Sequence, residues 1–297
     1  MWQNWRRSLL TCTAMGLAMW GLSAATHARV QRDSARVYVT VLGGGNKPVT
    51  GLTEKDFTIK EDGEVKKVIS AGPATEPMSV ELLTDRFGLD NTYSVFDVRL
   101  ALSTIVQTLH KGNPDTQIAF TTFDGAAVRQ VKPTTGTVEL EAFIKKLFTN
   151  GNSPVLLEAV ADASVALEHA PTDRRIIFAV FAGYKNESST IPSPPVINAI
   201  YKARASMWML EGRSAFQVNP TSIDRETIGN RACVGSGGLR DTVGVGTALQ
   251  SRGKRMAELI VAQYAVVYGA PSVSATSLEI TVPIKDAKII GPHWPPR

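Results

Sequence analysis

Cysteine is scarce in this chain: two residues in 297, Cys12 and Cys233. Two thiols cannot staple a fold of that length, so its stability has to come from a packed core. Histidine is scarce as well, four in all, and no two stand at a metal-ligating spacing. An excess of one charge is nearly absent. The 32 Lys and Arg against 27 Asp and Glu give +5, with no basic block longer than a pair. Nucleic-acid binding asks for a stronger electrostatic footprint. Repeats of about 20–50 residues, the mark of solenoids and propellers, are missing. What remains is 43% hydrophobic residues, an ordinary globular share that excludes disordered and collagen-like chains.

The longest apolar run is at the start. Arg6 and Arg7 lead into Leu9–Ala25, which closes on Thr26-His27-Ala28. A positive start, an apolar middle and small residues at the end predict a secretory signal over 1–28. The alternative is an uncleaved anchor, but Thr11, Thr13, Gly16 and Gly21 interrupt a run already short for the roughly 20 residues that span a bilayer. The pair Arg6-Arg7 leaves Sec and twin-arginine export both open. Removal of this segment takes two Arg, no acid, three of the five Trp and Cys12 with it. The exported chain then carries +3, which is +5 less those two Arg, and the single thiol of Cys233.

Catalytic strings are missing too. Gly235-Ser236-Gly237-Gly238 does not fit a nucleophile elbow and reads as a flexible loop. Gly43-Gly44-Gly45-Asn46-Lys47 lacks phosphate-loop spacing and reads as a hairpin turn. His110 and His169 stand at helix ends, where a cationic side chain suits the dipole. Cys233 reads as a partly buried lone thiol. The chain is expected not to be an enzyme.

Periodicity gives the organisation. Residues 36–41, 56–60 and 65–69 read as short strands, too few to bury a core alone. Leu278–Val282 is a plausible partner for them. From Met78 the pattern alternates. Residues 79–83, 117–123, 176–181, 206–210 and 264–268 read as strands, with 128–131 as a hairpin mate of 117–123. Val95, Val98, Leu102, Ile105 and Leu109 recur at helical spacing, opened by a Ser94–Asp97 capping pair. Helices are also expected around 140–147, 197–205 and 256–262. Another begins with Ser153 as N-cap and Pro154 in its first turn. Residues 212–245 are Gly-rich, with a short helix near 223–228. The predicted fold is an α/β, doubly wound, mostly parallel sheet with a small β accessory part from the N- and C-terminal strands. Its division is 1–28 signal, 29–77 β segment, 78–270 α/β domain, and 271–297 strand and tail packing on the β segment.

This order resembles a von Willebrand factor A-type domain. Val37-Tyr38-Val39-Thr40-Val41, Pro48-Val49-Thr50-Gly51-Leu52, Asp56-Phe57 and Glu61-Asp62-Gly63 are similar to the opening segment of bacterial secreted VWFA-related proteins. The resemblance spans about 35–290. It implies a divalent metal at the top of the sheet, held by Asp-x-Ser-x-Ser after the first strand, a Thr before the third helix and an Asp after the central strand. Hard cations want such oxygen ligands and keep open positions for a partner's carboxylate.

This sequence departs from that pattern. Asp85 matches, but Phe87 and Leu89 replace the serines, Pro154 stands at the Thr position beside Ser153, and Ala182 replaces the Asp. The adhesion site is read as degenerate, with no Mg²⁺ or other cofactor. Asp90-Asn91-Thr92-Tyr93-Ser94 could stand in as a displaced Asp-x-Thr-x-Ser, or cap the helix opening near Ser94. The expected function is an exported, periplasmic or extracellular, non-catalytic module binding another protein. The candidate contact residues are Asp85, Arg86, Phe87, Asp90, Tyr93, Ser153 and Tyr184, with Phe87 an apolar contact in place of a metal ligand. The alternative is an envelope assembly component working through its β segment, where an edge strand near 37–41 could accept a partner strand.

Overall fold

A computed structural model describes residues 33–85, 94–148, 153–182, 187–212, 223–272 and 274–294. All fall in one unit, Gln31–Arg297. The expected signal lies outside the described residues. Among those described, no helix is long and apolar enough to cross a membrane.

The strands are β1 (Ser34–Leu42), β2 (Thr58–Glu61), β3 (Glu64–Lys66), β4 (Val68–Pro73), β5 (Met78–Thr84), β6 (Gln117–Thr122), β7 (Val128–Thr134), β8 (Arg174–Ala182), β9 (Ala205–Gly212), β10 (Arg240–Val243), β11 (Tyr264–Gly269), β12 (Leu278–Thr281) and β13 (Lys288–Ile290). The helices are α1 (Val95–Gly112), α2 (Thr137–Lys146), α3 (Leu156–Glu168), α4 (Ser193–Ala203), α5 (Ile223–Thr227), α6 (Cys233–Gly235) and α7 (Ala248–Val261). A π-helical turn, Ile228–Ala232, joins α5 to α6.

Six strands form the central sheet in the order β10-β9-β8-β5-β6-β7. All neighbours are parallel except the hairpin β6–β7. The sheet has helices on both faces, as the α/β reading expects. Strand β8 explains why. Alternate residues of a strand point to opposite faces. Ile176, Phe178 and Val180 enter the core with α1 and α7, while Ile177, Ala179 and Phe181 enter the core with α3 and α4. An uninterrupted apolar run is what burial on both faces demands. Helix α1 opens as its sequence predicts. Ser94 Oγ accepts from Asp97 N at 3.1 Å, and the Asp97 carboxylate accepts from Ser94 N at 3.2 Å. Gly253 brings α7 close to α1, since a Cβ there would stand 2.9 Å from Ile105 Cδ1.

The accessory part is two small sheets over one core, β13-β1-β11-β4 and β12-β2-β3. The C-terminal run pairs with the N-terminal strands as expected, Ile280 opposite Ile59. Two strand readings need correction. Residues 264–268, read as the last strand of the α/β part, form β11 between β1 and β4. Residues 65–69, read as one strand, divide at Lys67. Its carbonyl accepts from Gly269 N at 2.9 Å, while β3 pairs with β2 and β4 pairs with β11. Inside the Gly-rich stretch, β10 is a parallel edge strand that the periodicity does not reveal.

Candidate functional site

The strand order reverses at β5, whose successor in sequence lies to one side and β8 to the other. In an open α/β sheet the crevice beyond such C-terminal strand ends is the ligand position. Thr84 ties its walls together, its Oγ1 donating to Val180 O at 2.7 Å. Phe123 N donates to Thr84 O at 3.1 Å, which extends the β5–β6 pairing past the strands.

Asp85 follows, buried at 3% exposure, and Asp124 stands beyond the end of β6, equally enclosed. Ser153 is only half-buried. Its role differs from the expected N-cap. Ser153 O accepts from Gly125 N at 2.8 Å and Val155 N donates to Phe123 O at 2.7 Å, so residues 153–155 zip onto the 123–125 turn. Helix α3 therefore starts later, at Leu156.

The loop after the central strand caps that helix. Leu156 N donates to Glu187 Oε1 at 2.7 Å, and Leu157 N to Ser189 Oγ at 3.0 Å. Ser189 Oγ donates to Glu187 Oε1 at 2.6 Å. Ser188 N donates to Pro154 O at 2.8 Å, and the Glu158 carboxylate accepts from Thr190 N at 2.6 Å. A helix N-terminus presents free N–H groups and a positive dipole end, which draw an anion. Here the chain's own carboxylate takes that place. Burial pushes the Glu187 carboxyl above its usual range, and bonds from Ser189 and Leu156 offset this only in part. For Glu158 burial also works upward, but the bonds from Ser189 and Thr190 outweigh it and the carboxyl lies lower than usual.

Of the sequence candidates, Asp85 and Ser153 are placed on this edge. Arg86, Phe87, Asp90, Tyr93 and Tyr184 lie outside the described residues. The metal pattern can be tested on its donors. Pro154 offers a carbonyl already bonded to Ser188 N. Ala182 at the end of β8 has no carboxylate to give. Among the described residues, no group of three His, Cys, Asp or Glu is arranged to hold a metal. A hydrated dication needs several oxygens at once, and among the described residues the Pro154 and Ala182 positions supply no side-chain oxygen to it.

Sequence reasoning missed Glu187, Ser189 and a buried ion cluster at the end of β9. Glu211, fully buried, accepts from Arg240 Nη2 at 2.7 Å. Arg240 Nη1 also donates to Glu226 Oε2 at 2.7 Å. Arg225 Nε lies 3.8 Å from Glu211 Oε1, its guanidinium 5.8 Å from the Phe181 ring centroid. The partners come from β9, α5 and β10, and no local spacing links them.

Ser236, in the string read as a flexible loop, is fixed. Its Oγ donates to Ala232 O at 2.6 Å and accepts from Met207 N at 2.9 Å. A hydroxyl so engaged is structural. Cys233 is fully rather than partly buried, and burial pushes its thiol up to about 12. That is opposite to the shift a nucleophilic cysteine needs.

No family model matches the chain, and no curated protein matches its sequence. Solved structures match its fold. A von Willebrand factor type A protein from Catenulispora acidiphila superposes with a TM-score of 0.50 at 10% identity, over 89% of this chain and 74% of that one. Proximal thread matrix protein 1 from the mussel byssus gives a TM-score of 0.50 at 14% identity, over 67% of this chain and 49% of its own. BatB from Bacteroides thetaiotaomicron gives 0.45 at 14% identity, over 61% and 98%. At such identities the likeness is one of fold, and that fold is von Willebrand factor A-like.

Proposed function

We propose that this chain is an exported, non-catalytic protein-binding module, recognising a partner protein through the loops at the C-terminal edge of its central sheet, without a bound metal. One observation carries the metal-free part. Phe87, Leu89, Pro154 and Ala182 stand where the resembled pattern has side-chain oxygens, and none of the four has one to offer. Asp85, the surviving carboxylate of the expected ligand set, is enclosed. Contact with the partner then falls to Arg86, Phe87, Asp90, Tyr93, Ser153 and Tyr184. Export rests on Arg6-Arg7 and the apolar run behind them.

The test begins with the polypeptide that co-purifies with the exported protein. Affinity for it should fall about tenfold or more in Arg86→Glu and in Phe87→Ser, as for contacts at the centre of an interface. It should be indifferent to excess EDTA. Unchanged binding in both variants would remove the top loops from the reading. Calorimetry with Mg²⁺ and Mn²⁺ checks the metal, and micromolar binding abolished by Asp90→Ala would overturn the metal-free part.

A further inference from the structure

A second site lies at the other end of the central sheet, where β8 and β9 begin. Asp33 O accepts from Ala270 N at 3.1 Å, which turns the backbone groups of Ala35, Val37 and Val39 toward β11. In a regular strand those of Ser34, Arg36 and Tyr38 then point the opposite way. On that side β13 pairs only with Thr40, Val41 and Leu42. Beyond Ile290 the chain leaves β1, and Pro292 pairs with Ser236 instead. Among the described residues, no strand covers the outward edge of Ser34–Tyr38. The gap between that edge and the departing segment is a cavity of about 370 Å³, within the size range of ligand pockets.

The walls say what the cavity suits. Arg36, Arg174, Arg175 and Arg204 line it against a single acid, Asp173. Arg174 donates to Gln263 Oε1, Ala74 O and Ile260 O, and Arg175 to Thr172 O, Ala203 O and Ala170 O. All six acceptors are neutral, so these bonds orient the two guanidiniums without cancelling their charge. Arg36 is paired with Glu76 at 3.2 Å. The apolar wall is aromatic. Tyr201 and Trp294 lie with ring centroids 5.4 Å apart, Trp294 is 41% exposed, and Tyr38 stands opposite against Arg174.

We propose that this cleft binds an extended peptide bearing a carboxylate. The peptide adds a strand to the open edge of β1, its carboxylate faces the arginines, and an apolar or aromatic side chain enters between Tyr38, Tyr201 and Trp294. Strand addition supplies affinity through main-chain bonds, and the pocket supplies specificity. This is independent of the top loops, so failure of either leaves the other standing.

Selection from a random octapeptide library with free C-termini, followed by anisotropy titration of the labelled winners against the full chain, tests it. The winners should be strand-forming, with an aromatic or large apolar residue beside a carboxylate, and bind at micromolar levels. Amidation of the C-terminus, or Glu→Gln within the peptide, tells which source supplies the carboxylate, and one of them should weaken binding about tenfold. N-methylation at every second residue should abolish binding in one register and spare it in the other. Arg204→Asn removes a charge while tolerating the left-handed backbone at φ 52, and Arg36→Gln removes an exposed one. Each should weaken binding, with an unchanged melting curve. Recovery of no peptide overturns the proposal. So do winners indifferent to N-methylation in both registers, which marks a small-molecule pocket, and winners unaffected by both arginine variants.

Discussion

Glu187, half-buried, and Cys233, fully buried, are ionisable groups with opposite uses. Glu187 caps α3 from 31 positions away in sequence, which is why no local pattern announces it. The Ser94–Asp97 pair, three residues apart, is legible because capping boxes are local. Removing the Glu187 carboxyl as Glu187→Ala leaves the Leu156 N–H without its acceptor and should cost about 1–2 kcal/mol in denaturant unfolding. Glu187→Gln keeps an acceptor, and its pH dependence carries the information. The folded carboxyl titrates above the unfolded one. Its favourable contribution is therefore complete below the unfolded value near 4.5 and is lost as pH rises through the folded value. Relative to the parent, Glu187→Gln should gain stability between pH 4 and pH 7. A flat difference across that range would mean the carboxyl is not desolvated. Cys233, pushed up to about 12, should react with a thiol reagent at pH 8 about a thousandfold more slowly in the native protein than in concentrated guanidinium. Peptide mass spectrometry at Cys233 reads this directly.

At the level of elements, the long buried strand β8 and the amphipathic α1 are legible because burial writes itself as period. Strand β10 is not, because its four residues, Arg240–Val243, carry only one buried apolar side chain. What positions it is a glycine. At Gly238 a Cβ would stand 1.8 Å from Met207 O, so the chain from α6 can cross onto β9 only there. Gly238 N donates to Cys233 O at 2.8 Å, and Met209 N donates to Leu239 O at 2.9 Å just beyond. Gly238→Ala should cost about 3 kcal/mol, the upper part of the range for overpacking a close contact. Gly44→Ala, with nothing near its Cβ, should stay within about 0.5 kcal/mol as a surface change. Denaturant midpoints of the two variants decide it. Near-equal values would show that the α6–β9 crossing is looser than the geometry requires. Strand β11 differs from its sequence reading for a related reason. Its burial alternates strictly from Tyr264 to Gly269, a half-buried antiparallel signature, while its place right after α7 imitates the next strand of a parallel sheet.

At the scale of the whole molecule, the β part and the α/β part are not separable pieces. Strand β11 has β1 on one side and β4 on the other, β12 has β2, and β13 has β1. Leu42 and Ile290, from the small sheets, belong to the same core as α1 and α7. Arg174, at the start of β8 and 2% exposed, bridges the Ala74 carbonyl before β5 to Gln263 beside β11. Burial lowers its guanidinium to about 10, so it depends on those neutral acceptors being in place. Deleting residues 29–77 removes β1 to β4 together. It strips both neighbours from β11, exposes Tyr264, Val266 and Tyr268, and takes the Ala74 acceptor from Arg174. The truncated chain should therefore show no cooperative melt and should aggregate. The intact chain should unfold in one step, with Trp fluorescence from buried Trp208 and far-UV circular dichroism tracing the same curve. A sharp transition in the truncated chain, or two separated transitions in the intact one, would show that the α/β part folds without its β flank. The sequence boundary at 77/78 would then be a physical one, and β11 would have to be stable without either of its strand neighbours.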